Sequence, residues 1–230
     1  MEIKTIKPIT DYDYLVMFDL ASKNTGVCLW NLKMNYPKWT KQLVVDDKIE
    51  PRTKALYDLL DDFFIRLKEE LGDLSRIFVC KEAMPAQVGG ASTVQTFLAL
   101  AKAHAVLDLY TSLHDIDVYD YVGIYPVTAH AFYRRLKGLG HTEKVTKSHI
   151  GNYVYNHFSL FCSSQDESDA VFLAYTLVET KWDNDIYDAQ KQLRKHARGL
   201  VKDAAKSKIK EEIAALDLLK TKYIKEEKNQ

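Results

Sequence analysis

Apolar positions near the start of the chain form two short runs separated by polar residues, and this pattern predicts a β-hairpin. Residues 15–18 have the length of a buried central strand, and residues 25–30 resume as a second strand after the turn chemistry of residues 22–24. Asp19 directly follows the first run, so its carboxylate is expected at a strand end. A carboxylate held there suits a metal ligand or a general base, although it can instead only hydrogen-bond the turn.

Three more strands are predicted after the hairpin, at residues 39–45, 76–81 and 117–125. Each is a short segment rich in apolar and aromatic residues, and helical patterns lie between them. Strands that alternate with helices are typical of the α/β class, in which helices cover the faces of a sheet. The sequence therefore predicts a five-stranded α/β fold.

Three segments show the period of an α-helix. Pro51 suits a first helical turn, apolar residues then recur at helical spacing, and Gly72 can close this helix in a left-handed cap. Residues 91–113 are rich in Ala and Leu and form a second long helix that can pack closely. A third, strongly buried helix follows Ser163 or Ser164, either of which can cap it. The acidic residues of the first helix are interpreted as a solvated face.

Composition restricts the classes of protein that fit. The 230 residues are 47% hydrophobic, which favours one domain with a substantial core and an appendage. Cys28, Cys80 and Cys162 lack metal-ligand or disulfide-framework spacing, so they are interpreted as buried thiols of a reducing compartment. No apolar stretch has membrane-spanning length and no signal sequence is evident, so a soluble, cytoplasmic protein is expected.

Three further carboxylates lie in positions comparable to that of Asp19. Glu82 directly follows the apolar run at residues 76–81, and Asp166 and Asp169 are three residues apart at the start of the third helix. Residues at i and i+3 face the same side of a helix, and ligands collect at the carboxyl ends of strands in open α/β sheets. The pair on the helix also has a simpler explanation, because the helix dipole favours acids at an N-terminus.

A basic segment stands out in a chain whose formal net charge is zero. Residues 128–150 contain Glu143 as their only acid and surround the glycine pair of residues 138–140, whose backbone amides can approach phosphate oxygens. The segment is predicted to bind the backbone of a nucleic acid, although a solvated basic surface would look the same. Its DNA-binding candidates are Arg134, Arg135, Lys137, Lys144 and Lys147.

The C-terminal part of the chain has no strand pattern and is rich in lysine. Residues 189–230 contain twelve Lys and Arg against six Asp and Glu, and a break in the pattern falls near residues 182–185. We therefore expect two parts, a core at residues 1–182 and a helical extension at residues 183–230. The extension is expected to add DNA affinity, or to pack on the core or on a partner subunit.

Four acids gathered in one site repel one another unless cations neutralise them. Hard divalent cations with oxygen ligands, Mg²⁺ or Mn²⁺, are the natural occupants of such a site. Two of them about 3.5–4 Å apart would stabilise the attacking water and the leaving oxygen of a phosphodiester. The acids and the basic segment together therefore favour a nuclease.

The same segments, in the same order, resemble those of one known family. Asp19 followed by Thr25 and Gly26 is similar to its first-strand motif, and Glu82 after the apolar strand is similar to its second acid. The segments GGAS and GLGHTEK, which end at Ser92 and Lys144, and the closing DESDAVFLA also match in order and spacing. The family is that of the RuvC-type Holliday junction resolvases, in particular the variants of lactococcal phages, and the resemblance covers residues 13–180.

This resemblance implies a ribonuclease H-like fold, a mixed five-stranded sheet flanked by helices, followed here by the C-terminal helical extension. It implies metal-dependent nicking of Holliday junctions and other branched DNA by two-metal hydrolysis. It implies a homodimer through residues 91–113, and contact of Lys144 with the scissile phosphate. The implied catalytic carboxylates, which would hold two Mg²⁺ or Mn²⁺, are Asp19, Glu82, Asp166 and Asp169.

Two other classes of protein remain as alternatives. Nucleotide-binding modules of the actin and sugar-kinase type also begin with an acid, a turn and Thr-Gly, but they need a second phosphate hairpin, which the sequence does not show. A non-catalytic DNA-binding adaptor would explain the basic segment and leave the four acids unexplained. Cleavage of labelled branched DNA with and without Mg²⁺ separates the alternatives.

Overall fold

The structure is a computed structural model that describes residues 12–21, 23–45, 52–84, 94–118 and 123–180. The strands are β1 (Tyr14–Asp19), β2 (Asn24–Asn31), β3 (Tyr36–Val44), β4 (Ile77–Lys81) and β5 (Asp117–Val118). The helices are α1 (Arg52–Leu71), α2 (Val94–Leu113), α3 (Pro126–Lys137), α4 (Lys147–Phe158) and α5 (residues 165–180).

The five strands form one mixed sheet in the order β3-β2-β1-β4-β5. β1 pairs antiparallel with β2 and parallel with β4, so β1 lies in the middle of the sheet. The register aligns Phe18 with Lys81, which brings the residues that follow them, Asp19 and Glu82, to the same edge of the sheet. The predicted central hairpin is confirmed.

Alternation along the strands divides the sheet into two buried faces. Val16, Phe18, Val27 and Val79 pack in a core with buried side chains of α1, among them Phe64. α2 completes this layer with Leu107 and Tyr110.

The other face of the sheet meets an aromatic cluster. Trp30 of β2 stacks on Tyr175 of α5, with ring centroids 5.9 Å apart, and contacts Phe158 of α4 edge-on at 5.3 Å. Phe132 of α3 contacts Tyr175 at 5.3 Å. The helices α3, α4 and α5 therefore cover the face of the sheet to which Trp30 points. Asp19 lies on the same face, because Leu15 pairs with Trp30 and residues two apart on a strand point the same way.

The ends of α1 and α2 agree with the predicted helices, whereas α3 and α4 were not predicted. α1 ends one residue before Gly72, whose φ of 79° is the predicted left-handed cap, and the Gly72 N–H donates to the carbonyl of Lys68 at 2.8 Å. β3 begins at Tyr36, three residues earlier than predicted. It contains Pro37, which is tolerated because β3 is an edge strand.

The predicted fifth strand differs from the structure. β5 is described over Asp117–Val118, and Ile124 forms an isolated parallel bridge with Glu82, while residues 119–122 lie outside the described residues. Gly123 between them has a φ of 85°, and a Cβ there would overlap the carbonyl of Lys81. A left-handed residue interrupts an extended strand, which the apolar and aromatic pattern could not reveal.

The chain divides into two compact units, Met1–Leu177 and Val178–Gln230. Almost all described residues belong to the first. Several predicted features lie outside the described residues: Pro51, Pro85, the GGAS segment of residues 89–92, residues 119–122 of the predicted fifth strand, and the extension of residues 183–230. Within the described part of the chain, no helix is both long and apolar enough to cross a membrane.

Candidate active site

The first two predicted acids form a buried pair at the edge of the sheet. The Glu82 N–H donates to the carbonyl of Phe18 at 2.8 Å, which continues the pairing of β1 and β4 past the end of the strand. Asp19 is 9% exposed, and its carboxyl is hydrogen-bonded to that of Glu82. Burial, this hydrogen bond and the nearby charges of Glu82 and Asp166 raise the pKa of Asp19 to about 9. Without a cation, the pair therefore retains a proton at neutral pH.

The N-terminus of α5 is fixed by its own sequence and by β3. The Ser164 hydroxyl accepts from the backbone N–H of Glu167 at 3.2 Å, as expected of a helix cap. The buried Glu167 carboxylate accepts from the hydroxyl of Ser163 at 2.5 Å and from that of Thr40 on β3 at 2.6 Å. The first turn of α5 is therefore anchored on both sides of Asp166.

Asp166 is oriented by the same strand. Its Oδ2 atom accepts a hydrogen bond from Nε2 of Gln42, two residues after Thr40 on β3, at 3.0 Å. Residues two apart on a strand share a face, so Thr40 and Gln42 together direct the start of α5 toward the edge of the sheet. Asp166 is half-buried and close enough to Asp19 to contribute to its raised pKa.

Gly26 allows this close approach of helix and sheet. It lies directly opposite Asp19 in the β1-β2 register, and a Cβ at its position would overlap the backbone carbonyl of Asp166. Its neighbour Thr25 is fully buried and donates from its hydroxyl to the carbonyl of Ala21 at 3.2 Å, which holds the chain after Asp19. The Thr-Gly motif therefore brings α5 next to the first acid.

We expect Gly26→Ala to lower the free energy of unfolding by about 1–3 kcal/mol, because the added methyl group must displace α5. Gly151→Ala on α4 is the matched control. Its Cβ would lie an ordinary 3.7 Å from Oγ of Ser168, and alanine is the better helix former by about 1 kcal/mol. Equal stability of the two variants in denaturant titrations would contradict the close approach.

The fourth acid, Asp169, is joined to a lysine from another helix. Lys147 is the first residue of α4, whose N-cap Thr146 accepts from the backbone N–H of His149. Its Nζ lies 3.1 Å from Oδ2 of Asp169. Burial raises the pKa of Asp169 to about 6, although Lys147 opposes the shift. Burial works to lower the pKa of Lys147, but Asp169, Asp19 and Asp166 together raise it, so the ammonium charge is held among three acids.

These side chains border a cleft of about 220 Å³ at the edge of the sheet. Apolar residues of α3, α4 and α5 form its walls, and His130 of α3 also lines it, close enough to Asp169 to be affected by its charge. Burial and the Arg134 cation lower the pKa of His130, so its imidazole is neutral at neutral pH. A neutral imidazole can accept a proton from a ligand in the cleft. The titratable residues that line the cleft are Asp19, Glu82, His130, Lys147 and Asp169.

The donor chemistry of this cluster suits a hard divalent cation, although its side chains are engaged with protein partners. Within the described ranges, no three His, Cys, Asp or Glu side chains are already placed to hold a metal ion together. The carboxylates instead have partners within the protein: Asp19 shares a hydrogen bond with Glu82, Asp166 accepts one from Gln42, and Asp169 forms an ion pair with Lys147. A cation would replace the shared proton and the ammonium group, both of which neutralise the same negative charge.

No protein-family model matches the chain, and no curated protein matches it significantly. Its fold is similar to that of RuvC from T. thermophilus in complex with Holliday junction substrate, with a TM-score of 0.53 at 10% identity over 74% of this chain and 95% of that chain. A second Thermus thermophilus RuvC structure gives a TM-score of 0.52 at 12% identity, and the match covers 73% of this chain and 95% of that chain. The chain has the fold of RuvC. The yeast mitochondrial Holliday junction resolvase has a TM-score of 0.48 at 13% identity, and the match covers 76% of this chain and 80% of that chain.

The ribonuclease H-like α/β fold predicted from the sequence is thereby confirmed. Within this RuvC fold, the structure brings Asp19, Glu82, Asp166 and Asp169 to one place, as their positions at strand ends and on one helix face suggested. The four are joined by Lys147, which the sequence indicated only as a contact to the DNA backbone.

The other basic candidates lie away from the carboxylates. Lys144 is exposed, in the connection between α3 and α4, and does not line the cleft. Arg134 donates from Nε to the carbonyl of Glu143 at 2.8 Å, while Arg135 and Lys137 are exposed on the last turn of α3. The predicted phosphate contact of Lys144 therefore stays a prediction, and Lys147 is the lysine that lies at the acids.

The glycine pair of this connection has a structural use. Gly138 is the left-handed C-cap of α3, with a φ of 63°. The Gly140 N–H donates to Oε1 of Glu143 at 2.8 Å, so this amide already has a carboxylate partner. A phosphate could take the place of that carboxylate only if Glu143 moved away.

Sequence reasoning missed four side chains of the site: Thr40, Gln42, His130 and Glu167. Glu167 had a detectable signal, because Ser164 and Glu167 form the S-x-x-E pattern of a capping box. Thr40 and Gln42 had none, since their contacts span more than 120 residues of sequence. His130 carries no local signal either, because its approach to Asp169 depends on how α3 packs.

Replacement of Asp19 by Asn should stabilise the cation-free protein increasingly as pH rises. Asp19 has a raised pKa, so the folded state binds more protons than the unfolded state between pH 4 and 9, and stability falls as pH rises through that range. Asp19→Asn eliminates this fall. We expect the difference in Tm between variant and wild type, measured in EDTA, to grow steadily from pH 5 to pH 9. Each kcal/mol by which the free energies of unfolding differ should change the difference in Tm by about 2–4 °C. Asp58→Asn, on the exposed side of α1, is the control. A difference in Tm that stays constant with pH would show that Asp19 is ionised throughout.

Proposed function

We propose that this protein is a metal-dependent, structure-selective endonuclease that nicks DNA at four-way junctions and other branched structures. The observation that carries the proposal is the convergence of Asp19, Glu82, Asp169 and Lys147 on one cleft, with Asp166 close enough to raise the pKa of Asp19. The RuvC fold supports it, because RuvC is known in complex with Holliday junction substrate. Acids and a lysine with shifted pKa values beside a cleft at the ends of strands are typical of functional sites.

The four carboxylates would hold two Mg²⁺ or Mn²⁺ ions. Bound there, the ions would stabilise the attacking water and the leaving oxygen of the phosphodiester. Hydrogen bonds that orient the ligands are part of such a site. Gln42 would keep Asp166 in place, and the buried Glu167 would hold the turn on which Asp166 and Asp169 lie.

Lys147 would change partners when DNA binds. Its ammonium group now neutralises Asp169, at 3.1 Å, and its side chain is 64% exposed. Once cations neutralise the acids, this group is free to turn to a phosphate oxygen and to stabilise the charge that develops there. Arg134, Arg135, Lys137 and Lys144 would hold the DNA backbone outside the cleft.

The experiment that tests this function compares DNA structures of the same sequence. Purified protein is incubated with labelled four-way junction, flap and linear duplex, in Mg²⁺ and in EDTA. We expect nicks in the junction in Mg²⁺, slower cleavage of the duplex and none in EDTA. Binding of junction without nicking in Mg²⁺ or Mn²⁺ would instead identify a non-catalytic adaptor.

The protein would act as a homodimer through α2, because two symmetric strands need two nicks and a two-fold dimer supplies two sites. One stripe of α2 exposes large apolar side chains, each more than half exposed. A second copy of α2 would cover these side chains, which are Val94, Leu98, Leu109 and Leu113.

We expect Leu98→Glu with Leu109→Glu to convert a dimer into a monomer in light scattering, because charges on the stripe would be buried without partners. Ile65→Glu is the matched control, since Ile65 of α1 is similarly exposed at 50%. A wild-type monomer at working concentration with DNA present would contradict the dimer.

The lysine-rich residues 183–230 would add salt-dependent DNA affinity that does not depend on branching.

A further inference from the structure

A second concave surface lies between α3 and α4 and shares no lining residue with the carboxylate cleft. It is a groove of about 360 Å³. Its residues on α4 recur at spacings of three and four, which is one continuous helical face. Lys147 and Ile150 of the same helix line the cleft, so α4 separates the two surfaces. The groove is lined by Tyr133, Lys137, His149, Asn152, Tyr153, Asn156 and His157.

Flat side chains form two stacked pairs in this groove, and the two pairs stand at a steep angle to each other because the rings of Tyr133 and Tyr153 are inclined by 76°. The ring of His149 is parallel to that of Tyr133 within 5°, with centroids 6.1 Å apart. His157 stacks on Tyr153 at 5.0 Å and 20°. Lys137 places its ammonium group 4.9 Å from the centroid of Tyr153. Stacked rings with a cation beside them are the chemistry that binds unpaired nucleobases.

The groove also offers groups that can recognise the edge of a base. Asn152 and Asn156 are both exposed and lie four residues apart on the same face of α4. A carboxamide carries a donor and an acceptor side by side, a pattern that matches the edge of adenine. Each Asn therefore adds hydrogen-bonding capacity beside a stacking surface.

Charge favours a nucleic acid over an acidic or a neutral partner. The sequences of α3 and α4 contain no Asp or Glu, although the whole chain is neutral. The one acid between them, Glu143, is engaged by the amide of Gly140. A phosphate backbone that passes along this groove therefore meets cations of α3 and no carboxylate of either helix.

We propose that the groove between α3 and α4 binds the bases of an unpaired DNA strand. His157 lies ten residues beyond Lys147, about 15 Å along the helix, which a stacked strand spans with about four nucleotides. The proposal rests on the proposed function in that the ligand is DNA, and it adds a site for unpaired bases. A strand that leaves a branch point would be held here by its bases, while its phosphate reaches the cleft.

The test compares the full-length protein's affinity for a labelled 12-nucleotide oligo(dA) and for an abasic strand of the same length, by fluorescence anisotropy in EDTA. Stacking contributes about 1–3 kcal/mol per base, so we expect wild-type protein to prefer oligo(dA) at least tenfold. Asn152→Ala with Asn156→Ala, and separately His157→Ala, should reduce this preference to less than threefold. Tyr155→Ala, exposed on α4 but outside the groove, should keep it.

Equal affinity of wild-type protein for the two strands would overturn the proposal. It would mean that the groove takes another ligand, such as a protein, and that basic residues alone attract the strand. An unchanged preference in the groove variants would overturn it too, since the bases would then bind elsewhere. Because no cleavage occurs in EDTA, these outcomes are independent of the nicking assay, whose failure would reject the endonuclease and leave the base-binding result standing.

Discussion

Asp169→Asn is expected to lower the rate of nicking of a four-way junction by at least about a thousandfold, which corresponds to about 4 kcal/mol of transition-state stabilisation. The amide cannot neutralise a divalent cation, and it no longer attracts Lys147, which lies 3.1 Å away. Asp19→Asn, Glu82→Gln and Asp166→Asn should have similar effects, because each removes one carboxylate of the same cluster.

Affinity for the junction should survive these substitutions. None of them adds negative charge to a surface that phosphate must approach, so binding should be unchanged or tighter. The measurement is single-turnover nicking in Mg²⁺ beside a binding titration in Ca²⁺ or EDTA. Asp58→Asn, which loses only an exposed pair with Lys54, is the control and should retain wild-type nicking. Nicking within tenfold of wild type in Asp19→Asn or Asp169→Asn would show that chemistry occurs elsewhere.

The second large effect is expected at Lys147. Lys147→Ala should lower the nicking rate about 10²–10³-fold with a small change in junction affinity, because a cation aimed at developing charge acts mainly on the transition state. Lys144→Ala should mainly weaken binding and reduce the salt dependence by about one unit, as expected for a phosphate contact outside the cleft.

The sequence and the structure favour different lysines for the contact with the scissile phosphate. The family resemblance implies that Lys144 contacts the scissile phosphate, whereas the structure places Lys147 beside Asp169 and leaves Lys144 outside the cleft. Loss of turnover in Lys144→Ala with normal turnover in Lys147→Ala would favour the first assignment. It would also require the connection between α3 and α4 to move when DNA binds.

The strand ends were predictable because the signal is local. A buried strand followed by one carboxylate appears as a few consecutive letters, and it occurs at Asp19 and again at Glu82. Alternation within the strands then decides the face, since residues two apart point the same way. The spacing of Asp166 and Asp169 was equally local, and their approach to the sheet follows from the glycine opposite Asp19.

The remaining parts of the site depend on packing between distant segments. Thr146 is a recognisable helix cap and could have placed Lys147 in a first turn, but nothing local shows that this turn faces α5. Gln42 had no signal, because its partner Asp166 is 124 residues away. The fifth strand itself is confirmed, but its predicted continuation through Gly123 is wrong for a different reason. An apolar and aromatic pattern does not show that Gly123 adopts a left-handed conformation against Lys81.

The central claim, that four carboxylates form one divalent-cation centre, is tested most directly by iron-directed cleavage of the protein itself. Fe²⁺ exchanged into the site generates hydroxyl radicals from peroxide, and these cut the polypeptide close to the bound ion. Mass spectrometry of the fragments should place the cuts next to Asp19, Glu82 and residues 166–169, and excess Mg²⁺ should suppress them. Cuts at other positions, or the same cuts in Asp19→Asn, would contradict the claim.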